Sequence, residues 1–196
     1  SRLGLPNVSF LKKIRRLDTK NKIVLIFDEC TSGFIQNFGG LHMKYKIYPD
    51  IAMFGKALGN GYAITSVIGR KAVMKSAESS FISSTFWTER LGFVAGLETL
   101  KIMKQKKSWS VIKSYGRYFN QKIENLANKY ELKIHITGIE SITSFNFLYK
   151  KNIAYKTFIS QEMLKKNILA SNVVYTCIFH KKTLLNKYYD ILDEIF

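Results

Sequence analysis

Residues 22–28 read Lys-Ile-Val-Leu-Ile-Phe-Asp, five consecutive apolar side chains closed by a carboxylate. Successive strand side chains point to opposite faces, so an uninterrupted apolar run predicts a strand covered on both sides, as in a parallel sheet. The run is of strand length, and no apolar stretch in the chain approaches the roughly 20 residues needed to span a membrane. The acid at its end matters because ligands of open α/β sheets gather beyond the carboxyl ends of the strands. Asp28 is therefore a candidate to meet a cationic ligand group; capping a neighbouring helix is the bland alternative.

The pattern around this run alternates helix and strand. Apolar spacing at Phe10, Leu11, Ile14 and Leu17 predicts a helix over 9–20. A loop punctuated by Gly33, Gly39 and Gly40 occupies 29–47, and strands are expected at 51–54 and 62–69, with a short helix at 71–77. Long helices follow at 88–105 and 110–130, the second with Tyr115, Phe119, Ile123, Leu126 and Tyr130 on one face. Strands at 132–137 and 141–149, a helix at 155–167, a strand at 173–179 and a helix at 183–196 complete the chain. The order is α/β first and α+β afterwards, with the boundary placed between a domain of residues 1–105 and one of 106–196.

The formal net charge of +17 raises the possibility of an anionic partner. Only six of the 31 basic residues are arginine, the side chain that reads bases and phosphates with a planar fork, and the lysines are dispersed. The charge is read as a solvated surface, with no nucleic-acid or membrane partner expected. Two cysteines, Cys30 and Cys177, in separate segments give no disulfide framework. A cytoplasmic setting is expected, since no signal-peptide pattern opens the chain. His42, His135 and His180 have no ligand-like spacing to a second metal donor, so no metal is expected.

Lys56 follows the 51–54 strand and sits among Gly55, Gly59 and Gly61. A lysine in a tight glycine loop suits phosphate contact or covalent attachment to an aldehyde, for which the amine must be neutral. The loop lacks the G-x-x-x-x-G-K-[ST] order of a P-loop and is not a dinucleotide fingerprint. On spacing alone, an exposed lysine, one of 25, is the better explanation.

Taken together, three successive strings carry more. Ile-Phe-Asp-Glu-Cys-Thr-Ser-Gly-Phe at 26–34, the block from Pro49 to Arg70 around Gly55-Lys56-Ala57-Leu58-Gly59, and Ser83 to Leu100 resemble the class III aminotransferases. That pyridoxal-phosphate (PLP) family includes glutamate-1-semialdehyde aminomutase. The match runs from about Leu11 to Leu100 and recurs weakly near 158–171 and His180.

The resemblance implies an α/β fold: part of the large domain of a type I PLP enzyme, like aspartate aminotransferase, and then a small α+β C-terminal domain. It implies PLP as cofactor, a small-molecule amino donor and carbonyl acceptor as substrates, and a homodimer. Asp28 would pair with the protonated pyridine nitrogen, and Lys56 would form an imine with the PLP aldehyde and later shuttle a proton. Thr85 would contact the phosphate bound by a partner subunit. Lys56 and Asp28 are accordingly expected to border one pocket, and Thr85 to lie at the surface. Gly59 and Gly61 are expected to let the backbone turn close beside the cofactor, Glu29 to leave its strand on the face opposite Asp28, and Cys30 to be a packed small residue.

Three departures from the family pattern bear on activity. Relatives carry an N-terminal half that supplies a glycine/serine phosphate loop and a ring stacked on the pyridine, and this chain is expected to be the C-terminal half without them. Ile35 stands where many relatives have arginine after the Gly-Phe pair, and Lys181 and Lys182 replace acids after the late histidine. The sequence is therefore read as an aminotransferase acting within a longer or split enzyme. The alternatives are a 2,1-aminomutase and, from another class, an inactive fragment that serves in binding or assembly.

Overall fold

The computed structural model describes residues 7–196, which form two compact units, 7–109 and 110–196. In the first, helix α1 (Val8–Lys20) is started by Asn7, whose side chain accepts a hydrogen bond from the Phe10 amide at 3.0 Å. Strands β1 (Ile26–Asp28), β2 (Ile51–Phe54) and β3 (Ser66–Gly69) form one sheet in the order β1-β2-β3. β1 and β2 are parallel, with Asp28 opposite Met53, and β3 returns antiparallel. Short helices α2 (Leu41–Tyr45) and α3 (Lys71–Met74) lie in the connections, α2 within the stretch expected to be loop. The core is small: Ala52, Phe54 and Leu58, with Phe34, Ile64 and Leu100 packed against them.

The 22–28 run differs from the expected doubly covered strand. Only Ile26–Asp28 pairs as a strand, and Ile23, Val24 and Ile26 are each about half exposed (55, 45 and 51%). The reason is position: β1 is the edge of a three-stranded sheet, with β2 as its only sheet neighbour among the described residues.

Asp50 anchors the start of this sheet. Its buried carboxylate accepts from the Leu25 amide (2.9 Å), from Arg15 of α1 (2.7 Å) and from Arg70 beyond β3 (3.0 Å). The Leu25 amide first, and then the Arg15 guanidinium, hold its pKa down to about 2 against the opposing effect of burial. A folded pKa below the unfolded value gives stability that is full above about pH 4 and is lost as pH falls toward 2. Asp50→Asn, which leaves two guanidinium groups facing a neutral amide, is expected to destabilise by about 3 kcal/mol. Urea midpoints measured from pH 7 to 3 should fall less steeply in that variant than in the parent.

Helix α4 (Arg90–Lys106) forms where expected, but its packed positions are not its large apolar ones. Leu91, Val94 and Leu97 are exposed, whereas Gly92 and Gly96 are buried. A Cβ at Gly92 would stand 2.8 Å from the Ala63 carbonyl oxygen, so the missing side chain lets α4 lie directly on the segment that follows Lys56.

The second unit begins with the greater part of α5 (Ser108–Lys129). Phe119 and Ile123 of its expected apolar face are fully buried, with Tyr115 and Leu126 packed beside them. Strands β4 (Ile134–Ile139), β5 (Ile142–Phe147) and β6 (Val173–Tyr175) make an antiparallel sheet in that order. Helices α6 (Asn152–Lys165) and α7 (Lys182–Ile195) add Ile159, Met163, Leu185, Tyr189 and Leu192 to the core around Phe145. The 173–179 strand ends early, at Tyr175, and the chain then runs irregularly to α7. Among the described residues no helix is long and apolar enough to cross a membrane.

Candidate active site

The parallel pairing of β1 with β2 puts the carboxyl ends of both strands side by side. Asp28 is the last residue of β1, and Lys56 lies two residues beyond the end of β2. The Asp28 carboxylate accepts from the Cys30 amide at 3.0 Å. That bond first, then one from the Cys30 side chain and the nearby positive charge of Lys56, lower its pKa, so the carboxylate stays ionised at neutral pH. Burial raises the Cys30 thiol, as does its bond to Asp28. Cys30 is thus held toward its protonated form, as a thiol that supports Asp28.

Lys56 is exposed, and its Nζ donates to Thr31 Oγ1 at 2.5 Å. Its backbone has φ of 45°, in the left-handed region where a side chain is strained. Gly59 closes the same turn: a Cβ there would lie 2.2 Å from the Tyr62 carbonyl oxygen, which no side chain permits. Thr31 is the residue that reasoning from sequence missed. Its only signal is its place in the motif, three positions after Asp28.

Asp28 lines a hollow of about 220 Å³ with Leu11, Phe27, Ser32, His42 and Tyr45; Lys56 is not among its lining residues. The charge interaction and the paired strands bring the two residues near one another, but this hollow is not shared. Glu29, expected on the face opposite Asp28, instead lines the same hollow, because β1 ends at Asp28 and strand alternation no longer governs the next residue. It is buried, and accepts from the His42 amide at 2.8 Å and from Ser32 Oγ. His42 Nδ1 lies 3.0 Å from the same carboxylate, so this histidine serves to fix the loop after β1.

Thr85 is exposed in a turn between β3 and α4. The neighbouring Ser84, Phe86 and Trp87 line a hollow of about 590 Å³ together with Ala63, Ile64 and Thr65. The segment after the lysine loop and the threonine block therefore meet at one concavity.

The profile of the family described as Aminotransferase class-III matches residues 3–183. The chain is 32% identical over 154 residues to the 3-aminobutyryl-CoA aminotransferase of Cloacimonas acidaminovorans, covering 75% of this chain and 37% of that protein. It is 31% identical over 157 residues to the glutamate-1-semialdehyde 2,1-aminomutase 2 of Lachnoclostridium phytofermentans, covering 78% and 37%. Among solved structures, the PLP internal aldimine form of the FumI protein of Sphingopyxis sp. MTA144 superposes with a TM-score of 0.92 at 18% identity, over 98% of this chain and 47% of that one. An omega-transaminase from Sphaerobacter thermophilus follows with a TM-score of 0.85 at 19% identity, over 96% and 47%. The chain thus spans less than half the length of these relatives, and the expected α/β fold of type I PLP enzymes is the fold found. With its profile matched over most of its length, the chain belongs to the class III aminotransferase family.

Proposed function

We propose that this chain is the lysine-bearing part of a PLP-dependent aminotransferase that moves an amino group from a donor to a carbonyl acceptor. The single observation that carries this reading is the placement of an ionised Asp28 and of Lys56 at the carboxyl ends of two adjacent parallel strands. The donor set fits PLP. Asp28 offers a lasting negative charge to a protonated pyridine nitrogen, and Lys56 offers the amine for covalent attachment. PLP, when bound, supplies an electron-poor ring that accepts the electron pair left at the substrate Cα. Lys56, once free, holds and returns the Cα proton, while Thr31 orients its amine. Thr85 serves phosphate in a partner subunit of a homodimer, a role that its exposure beside a concavity supports.

In this reading residues 1–105 belong to the cofactor-binding domain and 106–196 to the smaller domain. The activity is that of a whole protein about twice this length, continuous or split. A second reading, a 2,1-aminomutase, is favoured by the nearly equal identity of the aminomutase and aminotransferase relatives (31 and 32%). It uses Asp28 and Lys56 in the same roles and differs in substrate.

The test is to trap the cofactor. The 196-residue chain should hold PLP weakly, because phosphate needs several aligned donors to offset its desolvation. Addition of the complementary part of the protein should produce a strong PLP absorbance band. Borohydride reduction and peptide mass spectrometry should then place the pyridoxyl group on Lys56 and leave the other 24 lysines unlabelled. Label scattered over surface lysines defeats the proposal. Stable Lys56 labelling of the chain alone defeats only the claim that it needs a complement.

A further inference from the structure

The second unit has a groove that the Lys56 site does not use. It measures about 410 Å³ and runs between β6 with the segment before it and helix α7. Phe119, Ile168, Val174, Leu184 and Leu185 make it apolar, and Lys187 stands at its margin. Tyr188 also lines it, with a buried hydroxyl that has no hydrogen-bond partner among the described residues. Leu169, on the same groove, is 94% exposed, as far from its preferred surroundings as a leucine can be.

Beside the groove lies a strand edge that is unpaired among the described residues. β6 is last in the order β4-β5-β6. The Thr176 amide donates to the Ser141 carbonyl and the Phe145 amide to the Asn172 carbonyl, so residues 172, 174 and 176 face β5. Antiparallel strands alternate, and Val173 and Tyr175 therefore turn their amide and carbonyl groups away from the sheet. An open strand edge next to an apolar groove is the arrangement by which a domain takes up an extended segment. Backbone bonds hold the segment, and alternate side chains fill the groove.

Charge and length say what the occupant is. Lys181 and Lys182 open α7 and Lys187 borders the groove, on a chain of net charge +17. A second copy would bring the same charge to the contact, whereas an acidic segment complements it. Relatives of the same fold are more than twice as long as the stretch matched here, at 37 and 47% coverage. A large part of their length thus has no counterpart in this chain.

We propose that the β6 edge and its groove bind an extended segment, apolar on one face and acidic on the other, from that unmatched part of the family polypeptide. The segment adds a fourth strand to the β4-β5-β6 sheet and covers Leu169. The proposal rests on family membership and is independent of the roles given to Lys56 and Asp28.

Overlapping 15-residue peptides tiling the unmatched part of the Cloacimonas acidaminovorans relative, titrated against the full chain by fluorescence anisotropy, test it. A short run of neighbouring tiles with alternating apolar and acidic residues should bind. Tyr175→Pro removes an outward amide and an exposed ring on the groove but no bond to β5, and Leu184→Asp charges a half-exposed groove wall, so both should fold, as circular dichroism will verify. Each should weaken binding at least tenfold, while Val67→Asp in the first unit should leave it unchanged. The proposal is overturned if no tile binds, or if binding tolerates both groove variants. It is also overturned if sedimentation finds a dimer of the chain alone that Tyr175→Pro dissolves, since the occupant is then a second copy.

Discussion

Lys56→Gly, made in the complete protein, is expected to lose at least roughly 10⁴-fold in transamination rate while making the fold slightly more stable. Two facts about one residue set this opposition. Chemically, Lys56 is proposed both to attach the cofactor and to move the Cα proton, and a positioned acid–base group alone contributes about 10²–10⁴-fold. Conformationally, it sits at φ of 45°, where a Cβ approaches the following carbonyl and glycine does not. Removing that strain should outweigh the loss of the solvent-exposed bond to Thr31, for a net gain of about 0.5–1 kcal/mol. Thermal melts of the cofactor-free protein and single-turnover rates would measure the two effects side by side. A Lys56→Gly protein that melts lower than the parent would remove the claim of strain. One that retains half its rate would remove the proposed chemistry.

Asp28→Asn is the second large effect. The substitution keeps the size of the side chain and an oxygen for the Cys30 amide, so the loop after β1 should stay in place. It removes the charge that would keep a pyridine nitrogen protonated. Losing one preorganised electrostatic contact of this kind reduces kcat by about 10²–10³. The pH profile adds an independent check. The Cys30 bonds and then the Lys56 charge hold the Asp28 pKa below its ordinary value, so its carboxylate is present above that value and is lost only in stronger acid. Any acid limb in the parent's rate profile near neutral pH must therefore belong to another group. A parent profile that falls on one proton between pH 5 and 6, and loses that limb in Asp28→Asn, would contradict the lowered pKa.

The sequence alone determined the kind and order of nearly every element, because periodicity and glycine placement are local. The Phe119 and Ile123 stripe of α5 was visible as helical spacing and is buried as read. The strands around Asp28 and Lys56 were visible as short apolar runs, and the motif strings led to the family. What the sequence could not decide was which apolar surface is covered. The 22–28 run has the composition of a doubly covered strand, yet it lies on a sheet edge, because burial depends on neighbours that the run does not encode. In α4 the large residues Leu91, Val94 and Leu97 attract the eye, but the helix packs through Gly92 and Gly96, since the distance to the Ala63 backbone leaves no room for a side chain. The Lys56–Thr31 bond and the left-handed backbone of Lys56 likewise exist only once β1 and β2 lie parallel and their ends meet. Local pattern fixes what a segment becomes, and tertiary contact fixes what its side chains touch.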